Sequence, residues 1–151
     1  MHIRSHVDRL LRRFEQDFIT HNRIEISASA VYHNVALFRR LTGKAVIPVL
    51  KGNAYGHGLA QLGEILQGVD VPYLAVDGYF EALRLRAVTK RPILVMGAIA
   101  PENFARMNYD NFAFVVQDEM TIRALGATRQ AVHVHLECNT GMKSVIVKKI
   151  C

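Results

Sequence analysis

A chain of 151 residues, half of them hydrophobic and about a fifth charged, is long enough for one real core and too apolar to be disordered. Its net charge of +6 admits an acidic partner, but the basic residues cluster only at Arg12-Arg13, Arg39-Arg40 and Lys148-Lys149 and no aromatics interleave with them, which speaks against a nucleic-acid partner. No run of eighteen apolar residues occurs, so no membrane partner is expected. The N-terminus MHIRSHVDRLLRRF lacks a continuous apolar stretch, and Asp8, Glu15 and Asp17 oppose an organellar presequence. Cys138 and Cys151 form no CxxC pair, so a cytoplasmic location without a structural disulfide is expected.

In chain order, Val7, Leu10, Leu11, Phe14 and Phe18 recur at helical spacing and predict an amphipathic helix in an extension covering residues 1–21. RIEIS (23–27) alternates like a short strand. Ser27 then suits an N-cap, Val31, Val35, Phe38 and Leu41 form a helical stripe, and Gly43 stands where a C-terminal cap belongs. From there the chain alternates. Apolar runs at 45–50, 71–76, 91–96, 111–116 and 131–136 read as strands; LAQLGEILQG, YFEALRLRAVTK, PENFARMNY and DEMTIRALGAT between them read as helices. Pro101 suits a first helical turn and Asp118 an N-cap.

Short, mostly hydrophobic strands alternating with helices mean a parallel α/β sheet, either doubly wound or a (β/α)8 barrel. The first strand–helix loop, Lys-Gly-Asn-Ala-Tyr-Gly-His-Gly, is neither GxGxxG nor a P-loop, which favours the barrel. A barrel needs eight units and about 250 residues. The expected fold is therefore an incomplete TIM-type barrel of about five parallel strands, truncated in mid-fold.

The chemistry of such barrels sits at the C-terminal strand ends, and Lys51 is at that end of the first run. A partly desolvated amine there is usable as a nucleophile or base; the plainer reading is a lysine that snorkels out of the strand. Gly52, Gly56 and Gly58 permit tight turning and close approach of backbone to a ligand, and the Tyr55 phenol could reach a phosphate. Together they suit a Schiff-base lysine beside an anionic cofactor.

IEISASAVYHNVALFRRL, AVIPVLKGNAYGHG, ILVMGA and VHLECNTGM resemble successive landmarks of the alanine racemase family. The likeness covers residues 22–142, and VxKxNAYGHG is its most specific part. It implies a pyridoxal 5'-phosphate-dependent isomerase with an N-terminal barrel and a C-terminal β domain, acting as a homodimer to interconvert L- and D-alanine for cell-wall precursors. By position, Lys51 would carry the cofactor and act as base on one face of the substrate α-carbon, Tyr55 would bond the cofactor phosphate, and Met96 would line the pocket. No metal is implied. The resemblance also implies a second base from the C-terminal domain of the partner subunit, so this chain alone is expected to be inactive. Ser144 falls where the family has an arginine that orients toward the substrate carboxylate. Glu137 falls where some members have a carbamylated lysine, and 143–151 reads as a non-family tail. Serine or a broader range of amino acids stays open as substrate, as do a non-catalytic cofactor-binding protein and a poorly folding fragment. His57 is expected to orient the glycine loop and Cys138 to be a small buried hydrophobe. His133 and His135 share one strand face, but without a third ligand they read as an inward-facing pair in a polar barrel interior or as hydrogen-bonded histidines.

Overall fold

The computed structural model describes residues 23–138. The helix expected over 5–18, Ser144 and the tail 143–151 lie outside the described residues.

Helix α1 (Ala28–Thr42) starts where Ser27 Oγ accepts the Ala30 N–H at 3.2 Å. It stops where Gly43 takes a left-handed φ of 64° and donates its N–H to Arg39 O, as expected. Only part of the expected stripe is used. Val35 is buried and Val31 packs beside it, whereas Phe38 and Leu41, 57% and 71% exposed, face away from the core. RIEIS forms no strand, because no neighbouring strand pairs with it among the described residues.

Four strands, β1 (Leu74–Val76), β2 (Ile93–Val95), β3 (Phe112–Val116) and β4 (His133–Leu136), make one parallel sheet in the order β1-β2-β3-β4. The first run, 45–50, is not a full strand and joins the sheet edge by a single parallel bridge, Val49 to Ala75, flanked by Ala75 N–H to Pro48 O at 2.8 Å and Leu50 N–H to Ala75 O at 2.7 Å. Pro48 has no N–H to lengthen that ladder. Helices α2 (Leu59–Leu66), α3 (Tyr79–Arg86) and α4 (Glu119–Ala127) fill the connections. The third expected helix is a 3₁₀ segment, Pro101–Arg106, shorter than the PENFARMNY reading. Asp118 caps α4 through the Thr121 N–H at 2.7 Å.

The sidedness of the sheet decides between the two candidate architectures. Leu74, Val76, Ile93, Val95, Phe112, Phe114 and Val116 point to one face, and there they meet Val35, Leu59, Leu66, Ala82, Leu85, Phe104 and Leu125 from every helix. On the other face the buried cluster among the described residues is Ala75, Leu94 and Ala113, rimmed by Ile47, Tyr73, Met96 and Val115, with no helix residue among them. A doubly wound sheet would send helices to both faces. Helices on one side of a parallel sheet, successive strands in register, make part of an α/β barrel.

Two features knit the helical face. Phe114 stacks edge-on with Phe104 and Tyr109, centroids 6.3 and 5.7 Å apart. Arg86 lies over the Phe112 ring and donates to the carbonyls of Thr89, Arg91 and Asn111 at 2.9–3.1 Å. Burial pulls its guanidinium below the ordinary arginine value, opposed by the nearby Asp110 carboxylate. At the far edge β4 is exposed along its length; Val134 lines a cavity of about 200 Å³ with Ile122, Leu125 and Val132, and Leu136 is open to solvent. Cys138 follows this edge and is exposed, not buried, because no further unit covers it among the described residues.

Candidate functional site

The Lys51–Tyr55 turn is a left-handed helical turn. Gly52, Asn53, Ala54 and Tyr55 have φ of 60°, 56°, 55° and 52°. Glycine and asparagine enter this region readily, but for Ala54 and Tyr55 it costs about 1–2 kcal/mol per residue. Local bonds offset that cost. Ala54 N–H reaches Leu50 O at 2.8 Å, Gly56 N–H reaches Gly52 O at 3.1 Å, and Gly58 N–H reaches Asn53 O at 2.9 Å. Asn53 Oδ1 accepts the Leu59 N–H at 2.9 Å and so starts α2. The His57 ring holds Ala54 O through Nδ1 at 2.9 Å, which is the loop-orienting part expected of it. Ala54, 3% exposed, anchors the turn in the core.

Side chains on the face without helices line up by register. Val49 bridges Ala75, and Ala75 pairs Leu94, then Ala113, then His133. Two residues further along each strand stand Lys51, Asp77, Met96, Val115 and His135. Lys51 Nζ is 3.8 Å from Asp77 Oδ1, with the two side chains 44% and 62% exposed. Lys51 is thus half-exposed, not desolvated, because its side of the sheet is open. It borders a cleft of about 500 Å³ shared with Tyr55, Asp77, Phe80 and Glu81. Tyr55 is 63% exposed, and its phenol has no hydrogen-bond partner among the described residues. Met96 shares the row with Lys51 but packs with the Ala75–Leu94–Ala113 cluster instead of bordering the cleft.

Two acidic residues here were not singled out in the sequence. Asp77 is the strand-tip residue two beyond Ala75, a position that counting along the second strand would have found. Glu81 lies in the first turn of α3, three residues after Gly78, the spacing of a capping box. Its Oε1 accepts the Gly52 N–H at 2.7 Å, and its Oε2 accepts the N–H groups of Asp77 and Gly78 at 3.1 and 3.5 Å. Gly97 fits against the same strand end. Its N–H donates to Asp77 O at 2.7 Å, and a Cβ there would lie 2.6 Å from that oxygen.

His133 and His135 are exposed on β4 and their side chains make no hydrogen bond among the described residues, contrary to the expected interior or hydrogen-bonded pair, because β4 is the uncovered edge of the sheet. His135 meets Tyr73 edge-on at 5.2 Å, and the described residues contain no cluster able to hold a metal. Glu137 accepts from Gln117 Nε2 at 3.0 Å.

A primary amine half-open to a cleft, with an unpaired phenol four residues along a turn fixed by backbone bonds, fits a cofactor that offers both a carbonyl and a phosphate.

A family profile described as the alanine racemase N-terminal domain matches residues 26–145. The alanine racemase of Francisella philomiragia is 36% identical over 127 residues, 80% of this chain and 34% of that protein. That of Vesicomyosocius okutanii is 32% identical over 79% of this chain and 34% of its own length. The crystal structure of alanine racemase from Oenococcus oeni superposes with a TM-score of 0.75 at 28% identity, covering 83% of this chain and 36% of that one. A histidine racemase from Leuconostoc mesenteroides superposes with a TM-score of 0.61 at 28% identity, over 68% and 28% of the two chains. The chain spans about a third of the length of the relatives it matches. With the lysine-tipped strand, the one-sided barrel sheet and the match over residues 26–145 in agreement, the chain belongs to the alanine racemase N-terminal domain family.

Proposed function

We propose that this chain supplies the lysine half of a pyridoxal 5'-phosphate-dependent amino-acid racemase, with alanine as its substrate. The observation that carries the proposal is the Lys51 amine, presented at a strand tip by a left-handed turn and open to the cleft that Tyr55 shares. Lys51 Nζ would hold the cofactor through its carbonyl carbon and, once released, take or return the proton on one face of the α-carbon. When bound, the cofactor supplies the sink for the electron pair left on that carbon. Tyr55 Oη would donate to the cofactor phosphate; Met96, packed with Ala75, Leu94 and Ala113 outside the cleft, is not assigned contact with the ring. Asp77 keeps the Lys51 ammonium directed along the strand ends. The second proton-transfer group belongs to the homodimer partner in this reading, and the setting is the cytoplasm.

The amino acid accepted is open to wider choice, since one structural neighbour is titled a histidine racemase. A second reading, a cofactor holder that does not racemise, is favoured by one feature of the described residues. Asp77 stands beside Lys51 in its own row, not across from it. Proton NMR of L- and D-alanine incubated with the chain and pyridoxal phosphate in D₂O separates the two. With Lys51 as the single base of this chain, Lys51-dependent loss of the α-proton signal is expected for one enantiomer only. Cofactor binding without any such loss would leave only the holder.

A further inference from the structure

We infer that Glu81 is the positioning residue of Lys51, an inference that rests on the cofactor reading above. Its carboxylate ties the backbone of the lysine turn to the backbone of the neighbouring strand end, beside the exposed Lys51–Asp77 ion pair. One oxygen holds the N–H of Gly52, the residue immediately after Lys51; the other holds the N–H groups of Asp77 and Gly78. The Val49–Ala75 bridge ends before Lys51, so beyond it no strand ladder sets the gap between the two tips. Glu81 sets that gap, and with it the distance from Lys51 Nζ to the Asp77 carboxylate.

The geometry demands an acid here. Both carboxylate oxygens act as acceptors, in opposite directions, toward donors on two separate segments. A glutamine has one acceptor oxygen, and its NH₂ would face an N–H group. An aspartate keeps two acceptors but is one methylene short of spanning them. Glu81→Gln should still cap α3, since glutamine serves in a capping box as glutamate does. The change therefore strikes the link to the Lys51 turn more than the helix.

The test uses the purified chain and pyridoxal phosphate, fixed to lysines with borohydride and mapped by mass spectrometry, in wild type, Glu81→Gln and Glu81→Asp. Label on Lys44 and Lys90 is the internal reference. In the wild type, Lys51 is expected to dominate. In both variants the ratio of Lys51 label to reference should fall about tenfold, the scale of one lost charge-assisted bond. Exchange of the Gly52 amide should quicken while that of Val95, in the core, stays unchanged. That second readout needs no cofactor and would not move if Glu81 only added general stability.

A folded variant that keeps the wild-type labelling ratio overturns the inference. Loss of the fold in both variants overturns it too, since Glu81 would then be a support of the whole sheet. A wild type in which Lys51 is not preferred contradicts the cofactor reading itself and takes this inference with it. Preferred labelling in the wild type and unchanged variants would sink the role of Glu81 alone.

Discussion

The two faces of one sheet divide the work. On the helical face, Phe114, Val95 and Leu85 are all but fully buried, and aromatic and aliphatic side chains from every helix close over them. On the opposite face, three small or medium residues are buried and the next row up is Lys51, Asp77, Met96, Val115 and His135. Alternation along each strand produces both faces from the same few residues. Stability is concentrated on one side, so the other can leave an amine and a phenol open to a ligand.

Changes to the helical face should therefore unfold the chain, and changes to the open face should alter the site with little loss of stability. The largest effect is expected from Phe114→Ala, about 3–5 kcal/mol in urea unfolding, a large share of the 5–15 kcal/mol typical of a domain. Arg86→Met should cost about 1.5–3 kcal/mol, because it leaves the carbonyls of Thr89, Arg91 and Asn111 without their charged donor. A loss under half a kilocalorie there would show that water replaces the guanidinium.

Gly97→Ala sits between the faces. Its Cβ would meet a backbone oxygen, so a cost of about 1–3 kcal/mol is expected together with a shift of Asp77 from Lys51, readable in the Asp77 and Gly78 amide resonances.

A pH effect of the core is smaller. Burial raises the Tyr109 phenol above the usual tyrosine value, with Tyr79 adding to the rise and a hydrogen bond with Thr128 opposing it. The folded state then binds that proton more tightly than the unfolded one. The contribution is complete below about pH 10 and declines as pH climbs through the raised value. Melting curves from pH 9 to 11 should show the decline, and Tyr109→Phe should flatten it.

Much of this was legible in the sequence, for definite reasons. Ser27, Gly43 and Asp118 are residues whose side chains or φ preferences fix helix ends locally, and each does so. The four strands fall inside the apolar runs that announced them. Lys51 could be singled out as a candidate because glycines and a tyrosine around a strand-end lysine have few structural uses.

Other features depended on neighbours that a sequence does not display. Phe38 and Leu41 continue a helical stripe but stay exposed, outside the core that Val31 and Val35 join. Cys138 would be buried only if another unit lay beside β4. Asp77 and Glu81 were hidden because their importance comes from segments 26 to 29 residues away meeting at one point. The left-handed run through Ala54 and Tyr55 was equally hidden, since neither residue favours it alone.

The central claim is that Lys51 presents an amine built to receive a carbonyl cofactor while adding little to the fold. An absorbance titration of the purified chain with pyridoxal phosphate, run beside Lys51→Ala, tests it directly. The account predicts a saturable absorbance band distinct from that of free cofactor in the wild type, none in Lys51→Ala, and melting temperatures that agree, because an exposed ion pair such as Lys51–Asp77 is worth only about 0–1 kcal/mol. The same band in both proteins, or none in a folded wild type, would contradict it.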